Sequence, residues 1–139
     1  ELRRKLALRR VAAPLIDETI EKLRAARLID DAEFARSWVQ ARDEGSPRGR
    51  RLLTQELRMR GVQMPVATTA AAMVTDDEAA YRAAERRARA FASLDYATFR
   101  SRMGSFLQRR GFGWDTARAA IERCWRERGG DAVEDDFGV

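Results

Sequence analysis

The chain has 139 residues, room for one domain or a few short repeated units, and its 45% apolar and 35% charged fractions describe a globular chain with no run apolar enough to span a membrane. It contains no His and a single Cys, Cys124, which excludes imidazole chemistry, an intrachain disulfide and a Cys-clustered zinc site, and with neither a GxGxxG nor a Walker A pattern nothing predicts a built-in nucleotide site. Residues 1–128 hold all 27 bases, 25 of them Arg, against 18 acids, a net +9, while residues 129–139 carry −4. A surplus of planar, fork-shaped donors suits a polyanionic partner, so the composition points to a binding protein with no catalytic residue, metal or cofactor.

Helix is expected throughout, because Ala is abundant, β-branched residues never alternate, and apolar residues recur at spacings of three and four. The chain starts at Glu1 with no initiator Met and no signal-peptide pattern, so it reads as lacking its natural N-terminus. A cytoplasmic location is expected. Pro14 fits the first turn of a helix through Ala26. Asp30 and Glu33 form a capping-box pattern that opens a second helix to Glu44. Gly45-Ser46-Pro47 then supplies a stop, a cap and a first-turn Pro for a helix ending at Gly61. Thr75 with Glu78 is another capping box, for a helix to Ala92, and Asp95 caps the next, which stops at Gly111. The last helix starts near Trp114 and ends at Gly129-Gly130. The acidic tail, 129–139, is expected to be disordered. This predicts seven or eight helices and no sheet.

Repetition organises these elements. Leu57-Arg58-Met59-Arg60-Gly61-Val62 matches Leu107-Gln108-Arg109-Arg110-Gly111-Phe112 at an offset of fifty, and Leu6-Ala7-Leu8-Arg9-Arg10-Val11 fits the same frame. Each copy ends a helix in a basic turn and starts another after one apolar residue. The resulting units are 1–28, which lacks its opening helix, then 30–74 and 76–128. The stretch 67–74 is unusually small and bland for such a unit.

The residues that carry this pattern also carry a resemblance. Leu28-Ile29-Asp30-Asp31-Ala32-Glu33-Phe34-Ala35-Arg36-Ser37-Trp38-Val39, Gly45-Ser46-Pro47-Arg48-Gly49 and Gln55-Glu56-Leu57-Arg58-Met59-Arg60-Gly61-Val62 resemble the RecX regulatory proteins of bacteria. Glu1-Leu2-Arg3-Arg4-Lys5-Leu6 and Phe106-Leu107-Gln108-Arg109-Arg110-Gly111-Phe112 are similar to the first and third repeats of that family. The resemblance implies an all-α fold of tandem three-helix repeats in a curved, elongated arrangement. It also implies a non-enzymatic modulator that binds RecA recombinase filaments and restrains their ATPase and strand-exchange activities in DNA repair. The chain itself is expected to be monomeric, with DNA as a weak or filament-associated partner.

Candidate contact residues follow from helical faces. Leu53 and Leu57 should face inward, leaving Arg48, Arg51, Gln55 and Arg58 as one outer stripe. Phe99, Met103 and Phe106 should be core, with Thr98, Arg102, Ser105 and Arg109 outside. Arg82, Arg86 and Arg89 lie opposite Ala80, Ala84, Ala88 and Phe91. Such stripes could meet DNA phosphates or an acidic protein surface, and the pattern does not choose between them. Phe34 and Trp38, at i and i+4, read as core, and Cys124 as buried. Trp114, at a helix start between glycine-rich turns, is a possible partner contact. Acidic pairs Asp30-Asp31 and Asp76-Asp77 read as helix-start residues and not as a metal site. The alternative reading is a helix-turn-helix DNA-binding protein whose recognition helix lies within residues 107–125.

Overall fold

A computed structural model describes residues 13–129, in which six α-helices and one 3-10 turn occur and no strand. The helices are α1 (Ala13–Gly45), α2 (Arg50–Met59), α3 (Met64–Ala71), α4 (Asp76–Ala88), α5 (Tyr96–Arg109) and α6 (Trp114–Gly129), with the 3-10 turn Arg89–Phe91 after α4. The expectations for residues 1–12 and for the acidic tail lie outside the described residues. α1 and α2 each pack on α3, while α4 and α5 each pack on α6, so the chain forms two successive three-helix units. No described helix is long and apolar enough to cross a membrane.

The fifty-residue register is visible in burial as well as in sequence. Leu53, Leu57, Val62, Ala67, Ala70, Ala71 and Val74 are buried, and so are Met103, Leu107, Phe112, Ala117, Ala120, Ile121 and Cys124. The connecting turn is also the same. Val62 N–H donates to Leu57 O at 3.1 Å and Gly61 N–H to Arg58 O at 3.0 Å; Phe112 and Gly111 repeat both bonds at 3.1 and 3.0 Å. This is a Schellman termination, which needs a left-handed residue after the cap, and Gly61 (φ 88°) and Gly111 (φ 93°) supply it. The small residues of α3 are the reason it fits: Ala67, Ala70 and Ala71 face α1 and α2 and are at most 4% exposed, so the bland stretch is a close-packed seam.

Several local expectations are corrected. α1 runs unbroken for 33 residues, so Asp30 and Glu33 sit in mid-helix and cap nothing. The segment Arg27-Leu28-Ile29 contains neither Gly nor Pro, and an acidic pair alone does not stop a helix. Phe34 is 44% exposed, because the buried stripe of α1 runs one residue later, through Ala35 and Val39; Trp38 is half-buried beside it. Pro47 and Gly49 precede α2 and do not belong to its first turn. Thr75 stands at the N-cap of α4 without a side-chain hydrogen bond, and Asp76 Oδ1 instead accepts from Arg50 N–H at 2.9 Å. Asp95 behaves as expected, its carboxylate accepting from Thr98 N–H at 2.8 Å. Phe99 and Met103 are fully buried, and Phe106 is partly so.

Candidate partner-binding surface

The two units meet at a pair of glycines. Gly49 N–H donates to Arg110 O at 2.8 Å, a Cβ on Gly49 would lie 2.4 Å from Gly111 O, and one on Gly111 would lie 2.5 Å from Leu52 Cβ. Only hydrogen at both positions allows this backbone approach. The approach brings the C-terminus of α1 against α4, and there arginines close the junction. Arg82 donates to Asp43 Oδ1 at 2.8 Å and Asp43 O at 3.0 Å, and Arg86 donates to Gly45 O at 2.9 Å. A cation at a helix C-terminus satisfies its last carbonyls and favours the negative end of its dipole.

These contacts change what the arginine stripes are. Arg48 is not on an outer stripe: its side chain is 17% exposed, lies before α2 and pairs with Glu56. Glu56 also accepts from Trp38 Nε1 at 3.0 Å, and the Trp38 ring is held between Arg42 (4.4 Å) and Arg60 (3.9 Å). Arg82 and Arg86 are spent on the junction, and Arg58 is exposed while reaching Val62 O at 3.3 Å. The side chains of Arg51, Arg89, Arg102 and Arg109 are exposed and make no hydrogen bond or ion pair with the described residues. Trp114 is 40% exposed, with Arg100 Cζ 5.2 Å from its ring centre.

Of the residues that line the junction itself, sequence reasoning singled out only Arg86 as a contact residue. A cleft of about 230 Å³ is walled by Gly45, Ser46, Pro47, Ala83, Arg86, Arg87, Phe106 and Arg110, three of them arginines and none an acid. Arg110 donates to Ser46 Oγ and lies over Phe106, which also faces Arg87 at 5.1 Å. Burial first, then the charges of Arg48, Arg87 and Arg109, pull the Arg110 pKa below the usual arginine range, with Glu56 opposing. The guanidinium stays charged, so the cleft holds positive potential that an entering anion would relieve. The repeat register was the available signal: Arg60 and Arg110 hold the same place before their glycines, and both turn onto an aromatic ring.

Two tandem three-helix units with arginine-lined seams define an all-helical repeat protein. Residues 30–70 match the model of the RecX second three-helix domain, and residues 75–121 that of the third. The chain is 31% identical to the regulatory protein RecX of Amycolatopsis mediterranei, covering all of this chain and 81% of that protein. It is 29% identical to RecX of Chlorobium limicola over 91% of this chain and 79% of the relative. The crystal structure of RecX from Lactobacillus salivarius aligns with a TM-score of 0.64 at 25% identity, covering 88% of this chain and 81% of that one. The chain belongs to the RecX family of regulatory proteins.

Proposed function

We propose that this chain binds RecA recombinase filaments and restrains their ATPase and strand-exchange activities, acting by differential binding and catalysing nothing. It would do so in the bacterial cytoplasm, through three units at 1–28, 30–74 and 76–128, with DNA met as part of the filament. The observation that best supports this is the acid-free arginine cleft between units, joined by exposed Arg51, Arg102 and Arg109. A filament presents the same acidic or phosphate groups at regular intervals, and a repeat protein can engage several at once, so weak contacts multiply into useful affinity. Direct duplex reading by α6 is less well supported, since that helix also exposes Asp115 and Glu127.

The test uses recombinase assembled on single-stranded DNA, with ATP hydrolysis as the readout. Wild-type chain should slow hydrolysis, and Arg51→Gln, Arg102→Gln and Arg109→Gln together should raise the concentration required by at least about tenfold, since each lost charged contact is worth about 0.5 kcal/mol or more. Replacing Arg48 instead would take from Glu56 its near ion-pair partner, leaving it Trp38 Nε1 and the more distant Arg42, and would confuse loss of fold with loss of binding. If the contacts are to phosphates, each lost arginine also flattens log affinity against log salt by about 0.7 to 0.9. Unchanged restraint by a triple variant that melts normally overturns the proposal for these residues.

A further inference from the structure

The third unit carries a groove of about 550 Å³ along α5, walled by Tyr96, Arg100, Gly104, Ser105, Gln108 and, from α6, Trp114. The second unit, fifty residues earlier, differs at the corresponding positions. There Arg50 takes the place of Arg100, and its guanidinium is spent on Val74 O at 2.5 Å and Ala72 O at 3.1 Å. Arg100 makes no hydrogen bond or ion pair with the described residues and rests near the Trp114 ring. Thr54 stands in place of Gly104, Met64 in place of Trp114, and Thr68 in place of Arg118. A Cβ on buried Gly104 would come within 3.1 Å of Trp114 Cζ3, so its absence lets the indole lie against α5. Arg118 follows Trp114 by one turn of α6, on the same face, exposed and without a described partner. The groove wall contains no acid; Asp95, beside Tyr96, is engaged as the α5 cap, and Asp115 is exposed next to Trp114.

We propose that this groove holds an unpaired nucleotide of single-stranded DNA. The base stacks on the exposed part of the Trp114 indole, Arg100 and Arg118 meet the flanking phosphates, and the Gln108 amide and Ser105 hydroxyl are placed for its edge. Every base has a stackable face, so an aromatic ring flanked by arginines takes unpaired strand without demanding sequence. Paired bases keep their faces covered, which disfavours duplex here. An apolar anchor from a protein partner would fill the groove but bury the groove's amide and hydroxyl groups unsatisfied. The inference needs no recombinase and stands apart from the filament proposal.

Binding of a short thymidine oligomer to the full chain tests it, read by tryptophan fluorescence and by anisotropy of labelled strand. Trp125 is buried and Trp38 half-buried with Arg42 and Arg60 near its ring, so Trp114 is the most exposed of the three rings and the main one open to quenching. The oligomer should quench, whereas an abasic strand with the same phosphates should bind at least about fivefold more weakly, the loss of one stacked base. Trp114→Ala should weaken the thymidine strand by about 5- to 150-fold and leave the abasic strand unchanged, while Trp114→Phe keeps most of the affinity. Equal binding of abasic and thymidine strands, or thymidine binding by Trp114→Ala within twofold of wild type, overturns the proposal. Lost recombinase restraint in Trp114→Ala with intact strand binding overturns it too, and makes the groove a protein contact. Should Trp114→Ala melt early, the thymidine and abasic comparison on the wild type decides alone.

Discussion

Asp95 and Cys124 mark two ways in which a single side chain was legible from its neighbours in sequence. Cys124 follows Ala117, Ala120 and Ile121 at helical spacing, and it is buried, with burial pushing its thiol up to about 11. Asp95 precedes a helix, and the Thr98 N–H it accepts from holds its carboxyl below the ordinary aspartate range. A carboxyl with a depressed folded pKa adds stability that is fully present above about pH 4 and is lost as pH falls through the folded value. Asp95→Ala should therefore lower Tm at pH 7 and shrink the drop in Tm between pH 5 and pH 2, by a small amount because the cap is exposed. Thermal melts across that range check it; an unchanged acid slope would mean the cap contributes nothing. Phe34 was misread for a reason at this same scale. On a helix, one residue is a rotation of about 100°, enough to move a ring from the core to the flank.

At the scale of the element, the termini were legible where a backbone conformation demanded one residue type. Gly61 and Gly111 end α2 and α5 with positive φ, and both turns were read from the Arg-Gly repeat. Their environments differ. A Cβ on Gly61 meets nothing within 4 Å, whereas one on Gly111 collides with Leu52 of the preceding unit. Gly61→Ala should then cost about 1–2 kcal/mol, the strain of a left-handed alanine, and Gly111→Ala about 1–3 kcal/mol more from overpacking. Denaturant melts of the two variants measure the gap, and equal costs would show that the units do not meet at that point. The break expected at Asp30 had no such requirement behind it. Acids favour a helix N-terminus without needing one, so α1 continues through Asp30-Asp31 because nothing there opposes helix.

Across the whole molecule, the arginines divide into those that join the units and those left for a partner. Arg82 and Arg86 belong to the first group, since they bind Asp43 and Gly45 at the end of α1. Replacing both with Gln should cost no more than about 1 kcal/mol for each contact, because both are partly solvated. The same change should speed hydrogen exchange at the Gly49 amide, whose bond to Arg110 O spans the junction. Exchange at wild-type rate would mean that the glycine contact alone holds the units together. The outward stripe expected for Arg48, Arg51 and Arg58 was legible only in part. Helical spacing reports direction from an axis, and Arg48 precedes the helix whose axis was used.

The amino-acid sequence by itself determined the helical class, the fifty-residue repeat, the buried faces of α2, α5 and α6, and the glycine turns between them. Each of these depends on neighbours a few residues away, or on a conformation that one residue type adopts most cheaply. Tertiary structure alone decided which arginines are free. Arg82 and Arg51 are both outward on their own helices, and only the docking of α4 beside the end of α1 gives Arg82 a carboxylate 39 positions earlier in the chain. The cleft of Arg86, Arg87 and Arg110 exists for the same reason. Charges converge there because two glycine backbones approach closely enough to bring α1, α4 and α5 together, and periodicity within a helix carries no information about that approach.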